Sequence, residues 1–274
     1  MTRITAPWAE TITAWIEHLE AGGVPATTRR TRREHMQRCA RAGGWSSPAA
    51  VTGEGLVRWF ARQSWAPETR RSHRSTHRAF WTWMVATGRR EDSPAEALPR
   101  VKATAGVPRS VDELSYRAAL RDAAPRVRLI LRCAAEVGLR RAEIAQVHRR
   151  DLLQDLGGWS LIVHGKGGRP RVVPLPAGLA AVIAEQCERW GYMLPGDDGG
   201  HLSPRYVGKL AARALPDDWT LHALRHRFAT RAYSLDRDVF TVQQLLGHAS
   251  PATTRRYVAL DTSGMRSTVE RVAA

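Results

Sequence analysis

Apolar residues in the first 88 positions recur at helical spacing, and glycine or proline interrupts each run. Ile12, Trp15, Ile16 and Leu19 share one face of a first helix that Gly22-Gly23 stops. Three further helices are predicted over about 26–42, 53–63 and 67–87, the first ending at Gly43-Gly44 and the last at Gly88. Residues 1–90 therefore read as a small helical bundle. Between 91 and 109 no apolar period is sustained, and Pro94, Pro99, Gly106 and Pro108 stand among small residues, which predicts an interdomain linker.

The pattern changes from 110 to 274. An apolar-rich helix over 127–137 ends near Gly138, and two short β-prone runs, 159–163 and 171–175, flank Gly165-Lys166-Gly167-Gly168 as a hairpin with lysine at its tip. Helices are predicted over 177–190, 204–214, 221–234 and 239–246, and a last one opens at Ser250-Pro251, with serine as cap and proline in the first turn. The fold class expected is two-domain and mainly α, with an N-terminal bundle and a C-terminal α+β domain carrying a small antiparallel hairpin. A length of 274 residues suits two cores of ordinary size.

Charge narrows the partners. A formal net charge of +16 predicts attraction to polyanions, nucleic acid first. The chain has neither an apolar run of about 18 residues nor a signal-peptide pattern, so a membrane partner is not expected and the cytoplasm is. Cys39, Cys133 and Cys187 are widely spaced and form no CxxC pair, which argues against a disulfide framework or a zinc site. No metal or other cofactor is expected. Basic residues are almost all arginine, since lysine occurs only at 102, 166 and 209.

Candidate DNA contacts lie on two predicted helices. Arg70, Arg74 and Arg78 stand at i, i+4 and i+8, and the second helix is crowded with Arg29, Arg30, Arg32, Arg33, Arg38 and Arg41 against Glu34 alone. Arg29, Arg30, Arg33, Arg70, Arg74 and Arg78 are the contacts expected; a solvated cationic face is the plainer reading. Arg100, Lys102 and Arg109 make the linker basic too.

Five pieces of the second half carry candidate chemistry: Gly138-Leu139-Arg140-Arg141-Ala142-Glu143, Gly165-Lys166-Gly167, His222-Ala223-Leu224-Arg225-His226, Leu246-Gly247-His248 and Tyr257. Singly, each has an ordinary explanation: an i, i+3 ion pair, a solvated turn lysine, helix-surface residues, a helix stop, a packed tyrosine. In this order and spacing they resemble the tyrosine recombinase, or phage integrase, family. The family's arrangement is an arginine with a carboxylate three residues on, a hairpin lysine, His-x-x-Arg, Leu-Gly-His and a tyrosine nine residues after that histidine. The resemblance is strong over about 120 residues, and it makes the front half, more loosely, the family's SAM-like core-binding domain.

What the resemblance implies is a catalytic set of Arg140, Lys166, His222, Arg225, His248 and Tyr257, supported by Glu143. Displacement at a phosphodiester builds charge on the non-bridging oxygens, and two guanidinium forks suit them at any working pH. Tyr257 would attack phosphorus with His222 as general base, Lys166 would protonate the departing 5′-oxygen, His248 would donate to the phosphate, and Glu143 would orient the first arginine or a neighbouring histidine. The product would be a 3′-phosphotyrosine that another strand's hydroxyl reverses without ATP.

Expected partners are double-stranded DNA attachment or core sites, a homotetramer on synapsed DNA, and an accessory directionality factor. Integration or excision of a phage or mobile element is the first reading; a Xer-like dimer resolvase and a catalytically silent DNA-binding regulator are alternatives. A metallohydrolase using His222 and His226 lacks a companion acid in the intervening Ala-Leu-Arg, and a type IB topoisomerase would share the chemistry without choosing a site. The chain opens directly on the bundle, so no arm-binding domain is expected ahead of it. Met265, Val269 and Val272 suit a short terminal helix that docks on a neighbouring protomer, a frayed end being the alternative.

Overall fold

The computed structural model describes residues 3–102, 110–165 and 170–247. It divides into two compact units, Met1–Gly106 and Val107–Ala274.

The first unit packs four helices: α1 (Ala6–Ala21), α2 (Ala26–Ala42), α3 (Gly53–Ala61) and α4 (Pro67–Ala86). Proline sits in the first turn of α1 and α4, where a missing N–H costs nothing, and the Thr52 hydroxyl caps α3 by accepting from the Gly55 N–H. The apolar stripe of α1 (Trp8, Ile12, Trp15, Ile16, Leu19) is buried against Phe80, Trp81 and Met84 of α4. Trp15 meets Phe80 edge-on at 5.1 Å, and the Trp8 indole N–H donates to the Trp45 carbonyl, so its one polar atom is satisfied inside. Each fully buried aromatic side chain of this kind contributes about 1.5–3 kcal/mol.

A histidine group joins α2 to α4. His35 and His73 stack at 3.7 Å, Trp65 covers the other face of His73 at 3.8 Å, and His77 is wholly buried. Burial, then the charges of neighbouring His35 and Arg38, pushes His73 down to about 3; burial and the other two histidines do the same to His77. His73 and His77 are thereby held neutral.

The structure departs from the sequence expectation over 91–98. A 3-10 turn, Pro94–Ala97, packs on α3, and Ala95 and Leu98 are buried in the first core. Arg90 anchors this return by donating to the carbonyls of Pro48, Ala49 and Val51. Two apolar residues three apart are too few to register as a period, so the segment resembles a linker in sequence while completing the bundle.

The second unit surrounds α6 (Pro125–Glu136), whose Leu129, Ile130, Leu131, Cys133, Ala134 and Ala135 are all buried, the mark of a helix covered on most sides. Around it stand α5 (Glu113–Asp122), α7 (Arg141–Gln146), α8 (Ala177–Trp190), α9 (Pro204–Ala214), α10 (Leu221–Asp236) and α11 (Val239–Leu246). An antiparallel sheet of order β1-β2-β3 is formed by Leu152–Asp155, Gly158–His164 and Pro170–Leu175. Leu161 pairs with Val173 and Val163 with Arg171; Leu161, Val163, Val173 and Leu175 turn inward to the core. The helices α5 and α7 and the strand β1 have no counterpart in the sequence reading. The expected helix beyond Ser250 and the terminal residues Met265, Val269 and Val272 lie outside the described residues.

Candidate active site and nucleic-acid interface

In the first unit, α2, α4 and the chain at 100–102 enclose an open groove of about 1160 Å³. Arg32, Arg71, Arg74, Arg78, Arg100 and Lys102 line it, with Glu68 as the one acid of the lining and Thr27, Thr31, Ser72 and Ser75 as hydroxyl donors. Partial desolvation, then the charges of Arg78 and Arg100, lowers the pKa of Arg74, which places these cations close enough to repel one another. A groove of like charges with interleaved hydroxyls has the chemistry of a phosphate-backbone seat.

The six arginines expected at DNA do not all face it. Arg74 and Arg78 line the groove, although Arg74 also donates to the Leu98 carbonyl. Arg70 turns away and caps the end of α3 through the carbonyls of Phe60 and Gln63, at 2.7 and 2.6 Å. Arg29, Arg30 and Arg33 line a second, smaller recess of about 280 Å³ with Ile16 and Glu20, and Arg29 pairs with Glu20. The sequence reading named Arg32 in the basic run of the second helix without counting it among the six contacts, and did not name Arg71 or the hydroxyls of the main groove. A helical wheel of α2 carries the signal, since Thr28, Thr31 and Arg32 share a side.

In the second unit, the candidate residues from three separate segments meet around Glu143. Gly138 makes this possible: at φ +71 it turns the chain after α6, and a Cβ there would lie 2.5 Å from the Phe228 ring. Leu139 is then buried and Arg140 becomes the N-cap of α7, where the Arg140 N–H donates to the Glu143 carboxylate at 2.8 Å. The Arg140 side chain, 35 % exposed, donates to the same carboxylate at 2.7 Å and to the Gly247 carbonyl at 3.1 Å. Arg225, on α10, is only 3 % exposed; it lies 3.7 Å from Glu143 and donates to the carbonyls of Gly138 and Leu246.

Burial on its own would raise the Glu143 pKa. Hydrogen bonds from Arg171 and the Arg140 N–H, then the charge of Arg171 and the hydrogen bond of the Arg140 side chain, outweigh it and hold the carboxyl below its usual range. His222 stands one turn from Arg225 on α10, at the exposed rim. Desolvation of its ring, then the charges of Arg225 and Arg140, lowers its pKa, so the imidazole is neutral at pH 7 and able to accept a proton. His222 and His226 touch edge-to-face at 4.2 Å, and among the described residues no group of three metal-ligating side chains forms.

The structure thus brings together Arg140, Glu143, His222 and Arg225. Lys166, His248 and Tyr257 lie outside the described residues, as does Arg109 of the basic linker. One member of the group was missed in the sequence: Arg171 on β3, whose fork holds both oxygens of Glu143 at 2.9 Å. The signal was available, because Arg171 shares its strand face with the buried Val173 and Leu175, and a cation on an inward face demands a partner.

Residues 110–263 match the phage integrase family. The chain belongs to that family. Tyrosine recombinase XerC of Bradyrhizobium diazoefficiens is 38 % identical over 137 residues, which cover 46 % of this chain and 43 % of the relative. Tyrosine recombinase XerC of Xanthomonas campestris is 34 % identical over 215 residues, covering 73 % and 66 %. The chain thus spans less than half the length of the first relative and about two thirds of the second. Among solved structures, a lambda integrase dimer bound to a COC′ core site superposes with a TM-score of 0.71 at 18 % identity, over 91 % of this chain and 76 % of that one. This last likeness shows the fold, mainly helical units with a small antiparallel sheet. Among the described residues, no helix of this family member is long and apolar enough to cross a membrane.

Proposed function

We propose that this phage integrase family member is a site-specific DNA recombinase that cuts and rejoins strands through a 3′-phosphotyrosyl intermediate at Tyr257. The observation that carries the reading is the placing of Arg140 and Arg225 on one carboxylate, Glu143, with His222 one turn from Arg225 on the same helix. In the step proposed, the Tyr257 oxygen forms a bond to phosphorus as the bond to the 5′-oxygen breaks. His222 takes the phenol proton, and Lys166 gives one to the departing oxygen. Arg140 and Arg225 neutralise the non-bridging oxygens, and His248 adds a hydrogen bond. The 5′-hydroxyl of another strand reverses the step, so bond energy is conserved and no nucleotide is consumed.

Arg225 faces backbone carbonyls in this structure. The scissile phosphate therefore competes with the Leu246 carbonyl for its guanidinium, and docking of DNA shifts the last turn of α11. The groove of the first unit supplies the double-stranded attachment or core site with its backbone seat. Exchange between two duplexes opens four strands, which implies four copies of Tyr257 and hence a homotetramer on synapsed DNA, with an accessory factor setting direction. A reaction of this kind belongs in the bacterial cytoplasm with the nucleoid.

For the biological task two readings stand. Integration and excision of a phage or mobile element is the reading the sequence favours; the XerC relatives favour resolution of chromosome or plasmid dimers. Recombination between two identical sites on one plasmid supports the second, and a demand for two different partner sites supports the first.

The test of the activity uses a nicked duplex carrying the site that this protein selects from a randomised DNA pool. The wild type is expected to trap a detergent-resistant covalent adduct, and Tyr257→Phe to bind the duplex without trapping it. An adduct that survives in Tyr257→Phe contradicts the nucleophile assigned; none with the wild type contradicts the reading and leaves the silent regulator.

A further inference from the structure

Arg171 has no part in the step just described, yet its side chain is only 11 % exposed. Its Nη1 and Nη2 donate to the two oxygens of Glu143, and its Nε donates to the Leu245 carbonyl at 2.8 Å. The end of α11 is shared out among three arginines: the Leu245 carbonyl takes Arg171, Leu246 takes Arg225 and Gly247 takes Arg140. The same three guanidiniums surround Glu143. One carboxylate and one helix terminus therefore fix the whole group, both negative in the sense that orients cations.

Gly247 shows how closely this clamp is fitted. Its φ is +61, and a Cβ there would lie 3.0 Å from Cδ and Nη1 of Arg171. Only glycine combines that backbone conformation with a guanidinium laid against it. Arg171 also belongs to the strand that follows the Lys166 hairpin in sequence, and His248 follows Gly247 directly.

We propose that Arg171 is a positioning residue for strand cleavage: by gripping both oxygens of Glu143 and the end of α11 together, it fixes Arg140 relative to the turn that leads to His248. The inference rests on the recombinase reading above. A lysine cannot replace this arrangement, because one ammonium offers no planar fork for the carboxylate while also reaching Leu245.

The experiment compares Arg171→Lys and Arg171→Met with the wild type in the full chain, on the same nicked duplex. It records affinity, adduct formation at saturating protein, the pH profile of that rate and the melting temperature. Affinity is expected to hold, while the saturated rate falls about ten- to a hundredfold, since small misplacement of reacting groups costs that much. A second readout separates positioning from mere folding. Without Arg171, Glu143 stays buried beside Arg140 and Arg225 but loses two hydrogen bonds, its pKa rises, and the rate acquires a new decline as pH is lowered. Arg171→Lys keeps a charge beside Glu143 and shows a smaller decline.

If Arg171→Met does not fold, Arg171→Lys decides alone. A lowered rate at unchanged affinity with the shifted pH profile supports the proposal. Saturated rates equal to wild type overturn it, and so does a loss of rate, affinity and melting temperature together with an unshifted profile. In either of those cases a wild-type adduct through Tyr257 leaves the recombinase reading intact; absence of that adduct removes the reading itself.

Discussion

In the α2–α4 groove, Arg32, Arg71, Arg74, Arg78, Arg100 and Lys102 line open space, with Arg74 bonded to the Leu98 carbonyl and Arg71 paired with Glu68, the one acid of the lining. Around Glu143, three arginines lie against one buried carboxylate and the carbonyls of Gly138, Leu245, Leu246 and Gly247. The residue type is the same and the physics is opposite. Exposed, mutually repelling cations gain from an external polyanion, act through counterion release and weaken with salt. The arginines around Glu143 are held by a shared carboxylate and by helix carbonyls, so they respond little to salt and strongly to displacement. In the reading proposed, one surface holds a duplex in register and the other holds donors still.

The sharpest way to break this contrast is Glu143→Ala. It leaves Arg171 and Arg225 buried without their shared counter-charge, and should cost the second unit about 3–5 kcal/mol and abolish cleavage. Thermal or denaturant unfolding measures the first and adduct trapping the second; a change under about 1 kcal/mol would mean that the helix carbonyls suffice.

Acidification comes next and should separate the units. His73 and His77 have folded pKa values near 3 against about 6.5 unfolded, so the folded first unit binds fewer protons. Its stability is full above pH 6.5 and falls as pH drops through the window from about 6.5 to 3, by about 1.4 kcal/mol per pH unit for each such group. Glu143, with its pKa lowered, contributes stability that is lost only as pH falls below the ordinary carboxylate range. Seven of the ten tryptophans precede residue 90, so tryptophan fluorescence during acid titration should report the first unit unfolding at the higher pH. A single shared transition would contradict the ordering.

A smaller effect is expected from Arg70→Ala, which removes the cap on α3 and should cost the first unit about 1–3 kcal/mol while leaving the salt dependence of DNA binding unchanged. A reduced salt slope would instead put Arg70 on phosphate.

Much of this was legible in the sequence because it rests on local periodicity and punctuation. The helices over 26–42, 204–214 and 239–246 coincide with α2, α9 and α11, whose ends are set by Pro25-Ala26, Ser203-Pro204, Asp238 and glycine. Helix α7 was not, since it is six residues long and takes its start from an arginine at the N-cap, a residue that carries no capping signal in sequence; α5 was passed over although Asp112 caps it, because only Tyr116 and Ala119 of its ten residues are buried and no apolar stripe marks it. Arg140, Glu143, His222 and Arg225 were named from the sequence as a set to look for, and the structure places Arg140 and Arg225 on Glu143 with His222 one turn from Arg225. The function of Arg70 and Arg171 was hidden for one common reason: each bonds to carbonyls or a carboxylate far along the chain, and a list of residues does not show which way a guanidinium turns.

The division of labour between the units is tested most directly by measuring, on one duplex, the salt dependence of affinity and the saturated cleavage rate for Arg78→Ala and Arg140→Ala. Arg78→Ala should lower the slope of log affinity against log salt by about 1 and leave the saturated rate within about threefold. Arg140→Ala should keep that slope and lose about a hundredfold or more in rate. Loss of binding in step with rate in Arg140→Ala, or an unchanged salt slope in Arg78→Ala, would contradict the account.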